Sequence, residues 1–494
     1  MRKRGPRKAI ELPFDVLSQI VLLCTTEPSV RTVDALTSLW TLSRGWRNAA
    51  LQTPLAWACI ELAPPHYCHV DRDSDEPEPS WRDHHGGLTT VRQVAGFLRL
   101  SSTCIKDVLI KDPSMSDEDI EWCFQLLKEH ASTIRNLSIH IVPGWTTVQK
   151  DQLFVQGQQL PKLKRLALHL QTWPSIGDDF PLTPNLTHLV IYNPVVRDLP
   201  EHARQTIQHL TAFSRFSDTR PWIVRTLRPE TYPALQSLSL VTGNRGVEAD
   251  FLGIARPPLV NESLTALSFA TSSALEDTLV LLRLPTLTRL AVACDWTVLH
   301  ELSGTALLTF LAAPHTPPLR TLHLDSVTLS DENMVAILRL LPSLEMLAVS
   351  RIRLSDAVVR ALVQPQPVDS ETGTETDTEV GAWLCPHLTH FSYYARLRSE
   401  AEVASVVSAS SVEDLALRRG LVDGGAQVDR NTVEGPAKLQ DVRLHSRQLL
   451  GFQAGIAVWS AEDRFFSRPI LSMFEDDITS RSGWWDFPMF TEIL

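Results

Sequence analysis

Three short constellations have the residue types of a metal site, and each lacks a part that the chemistry needs. His300-Glu301 begins like the zinc-protease pair, in which two histidines four apart hold the metal and the glutamate between them takes a proton from its water. The fifth position is Gly304, so the second ligand is missing. Asp71, Asp73 and Asp75 alternate like the first ligands of a calcium loop. Its sixth position is Glu76, where a glycine must turn, and its twelfth is Arg82, where a bidentate glutamate must close the shell. Cys59, His66, Cys68 and His69 offer zinc ligands without paired spacing. No Gly-x-x-x-x-Gly-Lys phosphate loop and no Gly-x-Ser-x-Gly elbow occurs. The expectation is a protein that is not an enzyme, with no catalytic, metal or cofactor-binding residues and no cofactor.

The elements that would carry such residues are better marked than the residues themselves. At 494 residues the chain exceeds one ordinary core, so several domains or a repeat array are expected. A net charge of −11 disfavours a general nucleic-acid partner. The basic start (Arg2, Lys3, Arg4, Arg7, Lys8) is either a nuclear import signal or a solvated end. No apolar stretch reaches the ~20 residues of a membrane span, and no apolar core near Met1 suits a secretory leader. The 7 cysteines stand singly, as reduced thiols do in the cytoplasm or nucleus.

The pattern Leu-x-x-Leu-x-Leu, often after Pro-x, recurs along most of the chain. It runs through Pro161-Lys162-Leu163…Leu166…Leu168 and Pro184-Asn185-Leu186…Leu189…Ile191, then through copies at Leu235, Leu287, Leu319, Leu344 and Leu388. Copies without the proline start at Ile105, Ile134, Ile207, Leu264, Val412 and Leu439. The starts at 105, 134, 163 and 186 are 29, 29 and 23 residues apart, within the ~20–29-residue period of leucine-rich repeats. The last two apolar positions of each copy alternate with polar ones, which predicts a strand with one face inward. Ser-Asp starts at 116, 330 and 355 predict helices after three of the strands. Met115 is expected to staple to Ile120. The fold class is thus α/β: a small N-terminal helical unit, then an irregular leucine-rich-repeat solenoid with a parallel concave sheet and outer helices. The asparagine of the strict repeat is replaced by Gln171, Pro194, Gly243, Ser272 and Asp295.

The N-terminal unit reads as three helices. Pro13 suits a first turn, and Phe14, Val16, Leu17, Ile20, Val21, Leu22 and Leu23 cover nearly the whole circumference of the first helix. Val33, Leu36, Leu39, Trp40 and Leu42 mark a second helix. Ser43 caps a third that buries Trp46 and Ala50, and Leu55 and Trp57 fold back after Pro54.

The order Leu12-Pro13, Val16-Leu17-x-x-Ile20, Trp46-Arg47-x-x-Ala50, Thr53-Pro54-Leu55-x-Trp57 resembles an F-box, most nearly the F-box-like segments of fungal proteins. It departs in having Leu42-Ser43 where members often have Val-Cys before Trp-Arg. The resemblance implies that this unit docks on the Skp adaptor of an SCF-type (cullin–RING) ubiquitin ligase through Leu12, Pro13, Val16, Leu17, Ile20, Trp46 and Leu55. The repeats resemble those of F-box substrate receptors, which implies that they hold an unidentified target protein.

The expected organisation is a basic tail at 1–9, the F-box-like unit at 10–62, an acidic linker at 63–97 and the repeats at 98–464. The repeats carry an acidic insertion at 364–381, read as disordered, and a milder loop at 420–436; a cap or tail follows at 465–494. Outward strand positions give the candidate target-binding face: Arg165, His169, His188, Tyr192, Arg289, His323, Asp325, His390, Tyr394, Arg418 and Arg443. Arginine and aromatic residues are enriched at binding hot spots, and this set suits an acidic or phosphorylated segment. The expected location is cytoplasmic or nuclear, with no nucleic-acid and no membrane partner. The alternatives are a repeat scaffold unconnected with ubiquitin, in which the helical unit is only a cap, and a horseshoe acting on a GTPase.

Overall fold

The structure, a computed structural model, describes residues 12–26, 32–62, 86–111, 117–140, 159–169, 180–192, 199–214, 226–242, 258–271, 279–294, 304–312, 316–325, 327–350, 352–364, 383–397, 407–419, 437–448 and 456–460. The chain divides into two compact units, Met1–Phe213 and Ser214–Leu494.

The first unit opens with helices α1 (Phe14–Thr26), α2 (Thr32–Leu42) and α3 (Arg44–Leu51), and Ser43 caps α3 by accepting the Trp46 N–H. Leu17, Val21, Leu36, Leu39, Ala49 and Ala50 are buried between them. A 3-10 turn at Pro54–Trp57 leads into β1 (Cys59–Leu62). Helix α4 (Gly86–Ser101), β2 (Lys106–Lys111), α5 (Asp117–Glu129) and β3 (Ile134–His140) follow, then β4 (Arg165–His169), β5 (His188–Tyr192), the short α6 (Glu201–Arg204) and β6 (His209–Ser214). These strands pair in sequence order, all parallel. The sheet therefore starts inside the segment expected to be a separate helical unit. Trp57 binds the two parts: it meets Trp40 and Phe97 edge to face, with centroids 5.8 and 5.1 Å away, and its Nε1–H donates to the Ala50 carbonyl at 2.7 Å.

Helix α4 corrects the expected linker at 63–97. Val94, Phe97 and Leu98 fall at helical spacing and are buried, so acidic composition at 71–78 does not extend to residues 86–97.

The second unit contains β7 (Ser237–Thr242), β8 (Leu259–Val260), β9 (Ala266–Thr271), β10 (Leu282–Arg283) and β11 (Arg289–Cys294). Helix α7 (Gly304–Leu311), β12 (Thr321–Asp325), α8 (Asp331–Arg339), β13 (Met346–Ser350) and α9 (Asp356–Val363) follow, then β14 (His390–Leu397), α10 (Ala409–Arg418), β15 (Asp441–Gln448) and β16 (Ile456–Ser460). Its main sheet runs β7-β9-β11-β12-β13-β14-β15 in parallel, and β16 adds antiparallel to β15. Strands β8 and β10 form a separate parallel pair.

Both units are leucine-rich-repeat stacks. In the regular copies the first leucine turns the chain into the strand and the next two point inward: Leu163, Leu166 and Leu168 are all buried, as are Leu344, Leu347 and Val349. No repeat covers these side chains alone, so neighbouring copies share the core. The copy expected at Val412 is a correction. Val412, Leu415 and Ala416 lie on the buried side of α10, Leu417 is exposed, and Ser408 caps the helix by accepting the Ser411 N–H. Leu-x-x-Leu satisfies a helix as readily as a strand entry. The basic tail, Met115, the acidic insertion beyond Gln364, the loop at 420–436 and the segment 465–494 lie outside the described residues.

Candidate binding face

Each repeat strand presents its alternate residues away from the buried leucines, and parallel register lines them up in rows. In the first unit the leading row is Cys59, Asp107, Asn136, Arg165, His188 and His209. In the second it is Ser237, Ala266, Arg289, Thr321, Met346, His390 and Asp441. The next row is mostly small, with Ser138, Ala167, Val190 and Thr211 in one unit and Ser239, Ser268, Ala291, His323, Ala348, Ser392 and Arg443 in the other.

The first unit's row holds an ion pair and an imidazole stack. A bulge between Lys106 and Asp107 lets two consecutive β3 residues reach one carboxylate. Arg135 donates to Asp107 through Nε at 3.1 Å and Nη2 at 2.5 Å, and Asn136 Nδ2 adds a third bond at 2.8 Å. These bonds raise the Arg135 pKa. Burial lowers that of Arg165. His188 stacks on His209 with centroids 4.1 Å apart. Its pKa is pushed down to about 4, chiefly by burial, then by His209 and Arg165. Thr187 holds the ring through Nδ1 at 2.8 Å, and Thr389 holds His390 in the same way.

Two expected contacts are corrected. Arg418 is not on a strand; it ends α10 and pairs with Asp414 one turn back. Asp325 occupies an outward register position but is fully buried, so it is no surface contact. Arg165, His188, Arg289, His323 and His390 do stand on the outward rows, half-buried or exposed. The strand positions of His169, Tyr192, Tyr394 and Arg443 fall there too, their side chains lying outside the described residues. Sequence reasoning passed over His209 and Asn136. The signal for His209 was its place directly before Leu210, as His188 stands before Leu189.

At the N-terminal end, Leu12, Pro13, Val16 and Leu55 are exposed and Ile20 and Trp46 half-buried. Leu17 is corrected: it is buried, so it offers no surface to an adaptor. Val16, Ile20 and Leu23 fall on one side of α1, so that side is apolar, and Val16 and Leu23 are exposed on it, Leu23 at 68%.

Two buried cations are structural. Lys106 donates to the carbonyls of Ser102 and Cys104 and to Thr133 Oγ1, and burial lowers its pKa. Arg419 donates to the carbonyls of Leu362, Leu384 and Cys385. Among the described residues no group of three or more His, Cys, Asp or Glu could hold a metal ion. His66, Cys68, His69, Asp71, Asp73, Asp75, His300 and Glu301 lie outside them. No described helix is long and apolar enough to cross a membrane.

No family model and no curated protein matches the sequence. Among solved structures the chain is similar to one of a TLR13–ssRNA13 complex, at 13% identity and a TM-score of 0.29. The match covers 63% of this chain and 47% of that one, so the chain spans about half the length of the protein it matches.

Proposed function

We propose that this chain is a non-enzymatic substrate receptor of an SCF-type (cullin–RING) ubiquitin ligase. The N-terminal helices dock on a Skp adaptor, and the open face of the repeats holds a target protein. Docking gives the target's lysines a high effective concentration near a charged ubiquitin-conjugating enzyme, so the receptor supplies proximity and no chemistry of its own. The work is intracellular and needs neither nucleic acid nor membrane.

The observation that supports this reading is the state of the helical block. A mere cap needs apolar residues on one side only. Here Trp57 fills that side, while Leu12, Phe14, Val16, Leu23 and Leu55 remain exposed elsewhere on the block. Exposed apolar residues on a small helical unit suit a protein partner. The F-box-like order of Leu12-Pro13, Trp46-Arg47 and Pro54-Leu55 supplies the identity of that partner.

The second reading, a repeat scaffold without a ligase, is favoured by the pairing of β1 with β2, which makes the block continuous with the first repeat. A pull-down with purified Skp adaptor separates the two. Capture by the wild type, with loss in Leu12→Ala/Pro13→Ala, is the expected result; no capture, or equal capture by the double variant, leaves the scaffold.

A further inference from the structure

The leading rows of the two units differ in charge. In the first, Asp107 is engaged by Arg135 and Asn136, which leaves Arg165 without an ion pair among the described residues. Beside it in register stands the His188–His209 stack. In the second unit Arg289 has Ala266 and Thr321 as neighbours, and His390 has Met346 and Asp441. Only the first row sets a cation next to two imidazoles.

We propose that Arg165 and the His188–His209 pair together seat two acidic side chains, spaced one residue apart, of an extended segment of the target protein. This inference rests on the reading of the open face as the target-binding surface.

The spacing argues for it. Neighbouring strands lie about 4.8 Å apart, so the middle of the imidazole pair is about 7 Å from Arg165 across the sheet. Same-side residues of an extended segment repeat every ~6.8 Å. A segment crossing the strands can therefore set one carboxylate on Arg165 and the next over the imidazoles. Arginine offers a planar fork of donors for the first carboxylate. For the second, the Thr187 hydroxyl meets the Lys164 carbonyl at 3.3 Å and His188 Nδ1 at 2.8 Å; in the Nδ1–H tautomer it donates to the first and accepts from the second. That leaves Nε2 of His188 unprotonated, and an arriving carboxylate favours a proton there.

Among the described residues the charged and titratable groups that act on His188 are Arg165 on β4 and His209 on β6, with the Arg135–Asp107 pair further along the row. All but Asp107 oppose protonation of His188, and that carboxylate is already paired. With the His188 pKa held at about 4 in the free protein, a bound carboxylate that raises it makes binding tighter as pH falls.

The test uses the full chain, a fluorescein-labelled peptide of Asp-Ser repeats and a matched Lys-Ser peptide, read by fluorescence anisotropy. The expected result is binding of the acidic peptide alone, weakened about tenfold in Arg165→Ala and in a second variant, Arg165→Gln. Arg92→Ala, an exposed site on α4, leaves it unchanged. Affinity rises about fourfold between about pH 7.5 and pH 5.5, and His188→Gln removes that rise. The inference is overturned if the acidic peptide does not bind, if both Arg165 variants bind it as the wild type does, or if His188→Gln keeps the full pH dependence. A chain that captures the Skp adaptor but ignores the peptide overturns this inference alone. One that binds the peptide but not the adaptor overturns the ligase reading alone.

Discussion

The carboxylate of Asp331 accepts the backbone N–H of Ser355 at 2.9 Å, one repeat further along the chain, and takes the Ser355 hydroxyl as well. The device repeats: Asp356 accepts the Ser408 N–H at 2.7 Å and its hydroxyl at 3.0 Å. Each serine in turn caps its own helix, Ser355 from the Ala357 N–H and Ser408 from the Ser411 N–H. An acid in the first turn of one helix thus orients the cap of the next, a polar relay in a chain whose asparagine positions are otherwise filled. Asp331→Ala is expected to cost about 1–2 kcal/mol, since it orphans an N–H and loosens a cap. Urea unfolding of the two chains measures it.

The relay gives a pH signature. Burial works to raise the Asp356 pKa, but the bonds from Ser408 and Ser411, with Arg360 nearby, outweigh it and the net direction is down. A carboxylate depressed on folding contributes stability that is present above its unfolded pKa of about 3.9 and lost as pH falls through the folded value. Asp356→Asn is therefore less stable than the wild type at neutral pH, and the gap narrows below about pH 4. Melting temperatures across that range check it; a gap that stays constant defeats the explanation.

Arg419 is buried with no carboxylate partner among the described residues, and its guanidinium lies 5.6 Å from the Trp383 ring centroid while bonding carbonyls on both sides of the stretch from Gln364 to Trp383. Burial lowers its pKa to about 10, which still leaves it charged at neutral pH. Arg419→Ala strands the Leu362, Leu384 and Cys385 carbonyls and is expected to cost about 3 kcal/mol or more. Arg419→Lys restores little, because an ammonium cannot span three acceptors with a planar fork. Denaturant midpoints of the two variants should fall together, well below the wild type.

These cases mark what was legible in the sequence. The leucines at 163, 166 and 168 announce a strand because their burial follows directly from spacing. The Ser-Asp helix starts at 330 and 355 were legible for the same local reason, but the bond from Asp331 to Ser355 was not, since it joins repeats through the fold. Arg418 and Arg419 show the limit: adjacent and chemically alike, one is solvated beside Asp414 and the other is the buried clamp. Asp325 and the Val412 copy failed because alternation fixes which way a residue points, not what covers it or whether the segment is a strand at all. The His188–His209 stack needs the β5–β6 register, which spacing alone does not supply.

Trp57 couples the helical block to the first repeat through Trp40, Phe97 and the Ala50 carbonyl. Trp57→Ala is expected to cost about 3–5 kcal/mol. The loss should not stay in α1–α3: hydrogen exchange in α4 should accelerate with it. Faster exchange confined to residues 12–51 would mean that the block unfolds on its own.

Helix α1 offers a within-helix contrast between docking and folding. Val16 is 42% exposed and Leu17, the next residue, is 7% exposed. Leu17→Ala removes core contacts and is expected to cost about 2–4 kcal/mol. Val16→Ala leaves the core intact and should stay within about 0.5 kcal/mol of the wild type. If the outer side of α1 is the adaptor surface, Val16→Asp keeps the melting temperature within a few degrees yet abolishes capture, because it buries an unpaired charge against the partner. Calorimetry and an adaptor pull-down on the same preparations decide it. A Val16→Asp chain that melts normally and still captures the adaptor moves the docking surface off this side of α1.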